Sequence, residues 1–178
     1  INCGYANAVK IIAQAINSIM KKTEIELASI SSLKARNVIP SEAEFVFTSP
    51  LSNVKVFDVV VAEITDYLKA AYGNVEKNFT VTCELPERVM SEEDASSIVD
   101  FINLSMTGVL KMSQVEEGLV ELSANIGPVV TKENAVEIST DVVGWPYTFS
   151  STYNDVSIQA PWYSAYGQAC GIEALVGW

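Results

Sequence analysis

The residues best suited to touch a ligand lie in Arg36-Asn37-Val38-Ile39-Pro40-Ser41-Glu42-Ala43, directly ahead of the apolar run Phe45-Val46-Phe47. The Asn37 amide offers both a carbonyl acceptor and an NH2 donor. Pro40 sets its own φ and biases Ile39 towards extended geometry, so the segment reads as a stiff corner that holds its side chains in place. The same residues also suit a plain strand-connecting bend in which Asn37 bonds its own backbone.

Carboxylates are the other candidates for chemistry. Asp94, Glu116, Glu117 and Asp141 could serve an independent acid–base enzyme, but no pair stands at a spacing that dictates geometry. Ser91-Glu92-Glu93-Asp94 reads as a capping box, with Ser91 the cap, Asp94 reaching back, and the acids on the positive end of a helix. The chain has no histidine. A His-based metal site, a His general base and a Ser-His-Asp triad are therefore excluded within it. Cys3, Cys83 and Cys170 are odd in number and far apart, which argues against a disulfide framework and for a reducing, cytoplasmic compartment. Asn78-Phe79-Thr80 matches a glycosylation acceptor, but no secretion signal accompanies it.

The elements that would position these groups follow from periodicity. Tyr5 to Lys22 repeats apolar residues at helical spacing, and Glu24 to Ser32 alternates as a strand. The corner follows, and Glu44 to Thr48 makes a second strand, antiparallel to the first. Ser49-Pro50-Leu51-Ser52-Asn53 breaks the chain before a helix from Lys55 to Tyr72, ended by Gly73-Asn74. Asn78 to Leu85 alternates as a third strand with Cys83 inward. Ser91 starts a helix lined by Ile98, Val99 and Ile102, and Thr107-Gly108 closes it. Leu119 to Asn125 then reads as a strand and Val129 to Val143 as a hairpin arm, with Pro128 at the boundary and the turn at 131–134. Helices over one face of a mostly antiparallel sheet make an α+β, ferredoxin-like two-layer sandwich.

Composition bounds the partners. The 178 residues are enough for one domain with a core, or for two small lobes, 1–86 and 87–143. Apolar residues make up 49% of the chain, which favours folding over disorder. No apolar run approaches a transmembrane length. The net charge of −11, from 22 acidic and 11 basic residues, repels phosphate backbones and anionic lipid, so no nucleic acid and no membrane are expected as partners. The first residue is Ile, which reads as a processed or excised piece.

Composition changes after Val143. Residues 144–178 carry two charges, Asp155 and Glu173, and hold all three Trp and 8 of the 16 aromatic residues. This aromatic tail could wrap an apolar patch, present a stacking surface to a ligand, or be foreign to the domain before it; the sequence favours the last.

Residues 1 to about 142 resemble the lid, or dimerisation, domain of zinc exopeptidases of the aminoacyl-histidine dipeptidase type, also called cytosolic non-specific dipeptidases. The resemblance is carried by Ile1-Asn2-Cys3-Gly4-Tyr5-Ala6-Asn7-Ala8, by the Arg36–Ala43 corner, by Gly108-Val109, by Val120-Glu121-Leu122-Ser123-Ala124-Asn125-Ile126-Gly127 and by Val136-Glu137-Ile138, in the family's order. It implies a homodimer formed through the lid, and Asn37 as a substrate-holding residue once a dipeptide is bound in an intact enzyme. It also implies zinc in the parent enzyme, but no catalytic residue, metal ligand or cofactor in this chain. The family's second substrate-holding group, an Arg, falls on Val143, which lacks the guanidinium fork needed to grip a carboxylate. Either the clamp is lost or the likeness ends at about Val142. The reading that follows is a lid fragment of a dinuclear-zinc dipeptidase, inactive alone. The alternative is a stand-alone ferredoxin-like binding module whose aromatic tail is the ligand surface.

Overall fold

The computed structural model describes residues 6–32, 38–73, 86–114, 117–144, 151–153, 156–158 and 172–177. Helix α1 spans Ala8–Met20. It starts at Ala8, later than the periodicity suggests, because Asn7 is extended (φ −89°, ψ 114°) and its Oδ1 accepts from the Val9 and Lys10 N–H groups at 3.0 and 3.3 Å. A side-chain acceptor at that position satisfies donors that the helix itself leaves open. Helix α2 spans Val54–Tyr72, after a short 3-10 turn at Leu51–Asn53, and Gly73 ends it at φ 65°. Helix α3 spans Glu92–Leu104, with the Ser91 Oγ accepting from the Asp94 N–H at 3.1 Å and donating to Asp94 Oδ2 at 2.6 Å. The expected cap is present, with Asp94 reaching back to the Ser91 hydroxyl.

Strands β1 (Glu26–Ser32), β2 (Ala43–Thr48), β3 (Gly108–Met112), β4 (Val120–Thr131), β5 (Ala135–Gly144), β6 (Ser151–Tyr153), β7 (Val156–Ile158) and β8 (Ile172–Gly177) complete the described elements. The main sheet has the order β2-β1-β4-β5-β8, with β3 also on β4, and every pairing in it is antiparallel. Three helices over a mostly antiparallel sheet make the expected α+β two-layer sandwich.

Two strands differ from the sequence reading. β4 does not stop before Pro128 but runs through it to Thr131, and the hairpin turn closes where Lys132 N–H donates to the Ala135 carbonyl at 2.7 Å. Pro128 is tolerated because the register shifts between Ile126 and Val129, and a bulge does not require the N–H that proline lacks. β3 was not foreseen. Val109, Leu110 and Met112 are all more than a third exposed, so no in–out alternation marks the strand, and pairing with β4 holds it in place. The strand expected at Asn78–Leu85 lies outside the described residues. In the aromatic tail, which shows no long alternation, β8 pairs along β5 from Ala135↔Gly177 to Thr140↔Ile172.

The main core joins the sheet to α1 and α3: Val9, Ala13 and Ile16 of α1 and Ala95, Ile98, Val99 and Ile102 of α3 cover Leu27, Ile30, Ile126, Val129, Val136 and Ile138. A second cluster lies between the helices, with Ile11, Ala15 and Ile19 of α1 against Val60, Ile64 and Leu68 of α2. Helix α1 is thus the middle of the helical layer. The Lys10 ammonium ties α1 to the end of α3 by donating to the carbonyls of Ile102, Asn103 and Ser105 at 2.9, 2.7 and 2.8 Å. Those carbonyls carry the negative end of the α3 dipole, where a cation is favoured.

Candidate functional site

The described part of the Arg36–Ala43 corner is held both by the burial of Pro40 and by hydrogen bonds to its backbone. The Val38 side chain is 57% exposed, yet its carbonyl accepts from Asn125 Nδ2 at 3.2 Å. Two residues on, the carbonyl of the buried Pro40 accepts from the Ala8 N–H at 2.9 Å. Ala8 is the first residue of α1, whose leading N–H groups lack partners within the helix, so the corner serves as part of that helix's cap.

Behind the corner lies a buried amide pair. Asn7 Nδ2 donates to Asn125 Oδ1 at 3.0 Å and to the Ile126 carbonyl at 2.9 Å. Asn7 is 7% and Asn125 8% exposed. Buried amides are costly unless paired, and here both groups of each amide are engaged. The bulge that lets Pro128 into β4 begins one residue after Asn125. The N-terminus of α1, the middle of β4 and the stem of the corner therefore meet in one polar knot inside an otherwise apolar layer. Sequence reasoning did not single out Asn7 or Asn125. The signal available was a polar residue inside the apolar strand pattern of β4, together with a capping residue type ahead of α1.

Asn37 precedes Val38 and lies outside the described residues, as does Glu116. The position that resemblance assigns to a carboxylate-binding Arg, Val143, stands opposite Ser123 in the β4–β5 ladder, two residues from the Asn125↔Asp141 pair. That is about 7 Å along a strand. The register therefore brings the Val143 position to the same stretch of β4 that holds Val38.

The candidate carboxylates do not converge. Asp94 belongs to the α3 cap, while Asp141 faces Asn125 across the ladder with its Oδ2 buried and without a partner among the described residues. Glu117 begins the described stretch that leads into β4. A shallow hollow on α3 is lined by Glu92, Glu93, Ser96, Ser97 and Asp100 and opens to solvent, as the acidic face of a surface helix does. Burial holds the Lys10 ammonium below the usual lysine range. Burial, and then the neighbouring Tyr67, raise the Tyr72 hydroxyl above the usual tyrosine range. Among the described residues no group of three His, Cys, Asp or Glu side chains could hold a metal ion, and no helix is long and apolar enough to cross a membrane. Of the aromatic tail residues only Tyr153 lies in a described strand, so the tail as a ligand surface falls outside the described side chains.

The residues from α1 to just past α2 match a family profile described as the peptidase dimerisation domain, over positions 5–76. The chain is 26% identical over 141 residues to the cytosol non-specific dipeptidase of Escherichia coli (strain K12), an overlap that takes in 78% of this chain and 29% of that protein. The crystal structure of aminoacylhistidine dipeptidase from Vibrio alginolyticus matches with a TM-score of 0.72 and 27% identity, again over 78% of this chain and 29% of that one. The chain therefore spans less than a third of the length of these relatives.

Proposed function

On the premise that residues 1 to about 142 form a dimerisation (lid) domain related to those of the dipeptidases, we propose that the chain joins two subunits and closes over substrate in a larger metallopeptidase. The matched positions 5–76 contain α1, β1, β2 and α2. Within that set α1 is enclosed between α3 and α2, and β1 lies between β2 and β4. Only β2 and α2 keep a side without a partner among the described residues. The observation that carries the reading is the exposure of large apolar side chains on α2 and the turn before it: Leu51, Val54, Val59 and Tyr67 are 88, 47, 50 and 47% exposed. Phe47 of β2 packs on Phe45 and on Phe57 of α2, with ring centroids 5.1 and 5.0 Å apart, so the outer strand and the outer helix adjoin. A second copy pairing along the β2 edge and stacking α2 on its own α2 would cover both the strand edge that is open among the described residues and the exposed apolar residues.

In this reading the unit that acts runs to Val143, with 144–178 set apart by composition. Asn37 holds the dipeptide from the lid side when the lid closes and excludes water. The chemistry itself belongs to a domain that this chain does not include. The related dipeptidases are metallopeptidases, and zinc does not fit the residues present here, since the sequence lacks histidine and the described acidic residues do not cluster. The purified chain is accordingly inactive towards peptides, and its setting is the cytoplasm.

Sedimentation equilibrium of the full chain tests the proposal. The wild-type chain should sediment as a dimer, and Val59→Glu, which places a charge on the exposed surface of α2 without touching the core, should give a folded monomer. A monomeric wild-type chain, or a Val59→Glu dimer as tight as the wild type, would refute the flank as the interface.

A further inference from the structure

We infer that Asn125 and Asn7 are positioning residues: together they set where the Val38–Pro40 segment stands relative to α1 and β4, and hence where the lid presents its substrate-facing corner. The inference rests on the reading of that corner as the substrate side, and it names the residues that would make it work.

Three observations carry it. First, the Val38 side chain is largely in solvent, so apolar packing does not hold this residue and its backbone contact falls to Asn125 Nδ2. Second, the Asn125 amide cannot rotate freely to make that contact. Its Oδ1 accepts from Asn7 Nδ2, and Asn7 is fixed in turn by the Ile126 carbonyl and by its own cap bonds to Val9 and Lys10 N–H. An amide whose oxygen is engaged by a donor has its NH2 group aimed to the other side, here at Val38. Third, two residues beyond the Val38 carbonyl held by Asn125, the Pro40 carbonyl accepts from the Ala8 N–H at 2.9 Å, next to the Asn7 that engages Asn125. The α1 cap and the corner are thus coupled through two side chains that lie 118 positions apart in sequence. A pair of amides serving packing alone could bond each other and leave the corner to solvent. This pair also reaches a carbonyl beneath an exposed side chain.

The amide protons of α1 report on the arrangement. Ala8 N–H is held by the corner, whereas Val9 and Lys10 N–H are held by Asn7 Oδ1. Hydrogen exchange measured by NMR on the full chain should show Ala8 exchanging about tenfold faster in Asn125→Ala, the loss expected for one broken hydrogen bond of ordinary strength, with Val9 and Lys10 little changed. Backbone relaxation at Val38 and Ile39 should report greater motion in the same variant. Asn7→Ser keeps a capping oxygen but removes the donor to Asn125, and should loosen Ala8 and Val38 while α1 stays capped. Ile126→Val lowers stability from the neighbouring strand position without touching the network, and provides the comparison for a purely structural effect.

If Asn125→Ala and Asn7→Ser alter Ala8 and Val38 no more than Ile126→Val does, the positioning role is refuted. If Asn125→Ala does not fold, the Asn7→Ser result decides. Failure of the underlying reading looks different: Asn37→Ala in a full-length enzyme carrying this lid would keep its kcat/KM, while Asn125→Ala still freed the corner.

Discussion

Helices α1 and α2 lie side by side in the same layer but are buried very differently. Six of the 13 residues of α1 are buried, distributed around the helix, whereas α2 buries only Val60, Ile64 and Leu68 out of 19. Helix α1 meets the sheet, α3 and α2, while α2 meets mainly α1 and turns its remaining surface outward. A helix enclosed on several sides can fix neighbouring groups, and α1 does so from its N-terminal turn: Asn7 and Ala8 hold the corner, and Lys10 holds the end of α3. A helix buried along one stripe leaves a face for another molecule. On the proposed reading, the difference separates the part of the domain that positions the corner from the part that joins subunits.

The largest test of this contrast is core truncation. Ile16→Ala, beneath α1, should destabilise by about 2–5 kcal/mol, near the upper end because sheet and helices surround the cavity. Leu68→Ala, near the end of α2, should fall near the lower end, because one side of that helix can relax towards solvent. Urea denaturation of both variants checks this, and equal losses would remove the distinction between the two helices.

Next in size is Lys10. Lys10→Met deletes a cation that serves three α3 carbonyls, and should cost about 1–3 kcal/mol if those groups are left without partners. Its pH dependence has a definite sign. Because burial lowers the folded-state pKa from 10.5, the unfolded chain binds more protons over the interval between the lowered value and 10.5. The Lys10 contribution to stability therefore rises with pH across that interval, is smallest below it, and is level above 10.5. Tyr72, raised above 10.0 in the folded state, works in the opposite direction above pH 10. The difference between wild type and Lys10→Met across alkaline pH isolates the lysine; a difference independent of pH would contradict the assignment.

The smallest effect belongs to the surface contact between the two helices. The Lys22 ammonium meets Glu63 at 2.7 Å, with side chains 38 and 56% exposed. Lys22→Ala should cost less than about 1 kcal/mol and become neutral at high salt. A larger loss would mean that α2 is held to α1 by charge as much as by the Ile11, Ala15 and Ile19 face.

Much of this was legible in the sequence because it is local. The stripe of Val60, Ile64 and Leu68, the Ser91–Asp94 cap, the strands on either side of Pro40 and the turn after Thr131 each follow from residues a few positions apart. The Arg36–Ala43 corner was legible as a corner for the same reason, since proline restricts itself and its predecessor. What failed was non-local. β3 has no alternation to announce it and exists because β4 offers it an edge. Pro128 looked like a strand end because the bulge that accommodates it is a property of pairing with β5.

By itself, then, the sequence determined the three helices and the strands β1, β2, β4 and β5, the α+β class, the absence of histidine chemistry and the likeness to a dipeptidase lid, all of which reside in short-range pattern and ordered motifs. Only the tertiary structure decided which helix is enclosed and which keeps an outer face, and which side chains hold the corner. Asn7 and Asn125 fall in two separate stretches of the resemblance, neither of which says that they meet; their role arises because the packing of α1 against β4 buries two distant amides together, and buried amides must find partners.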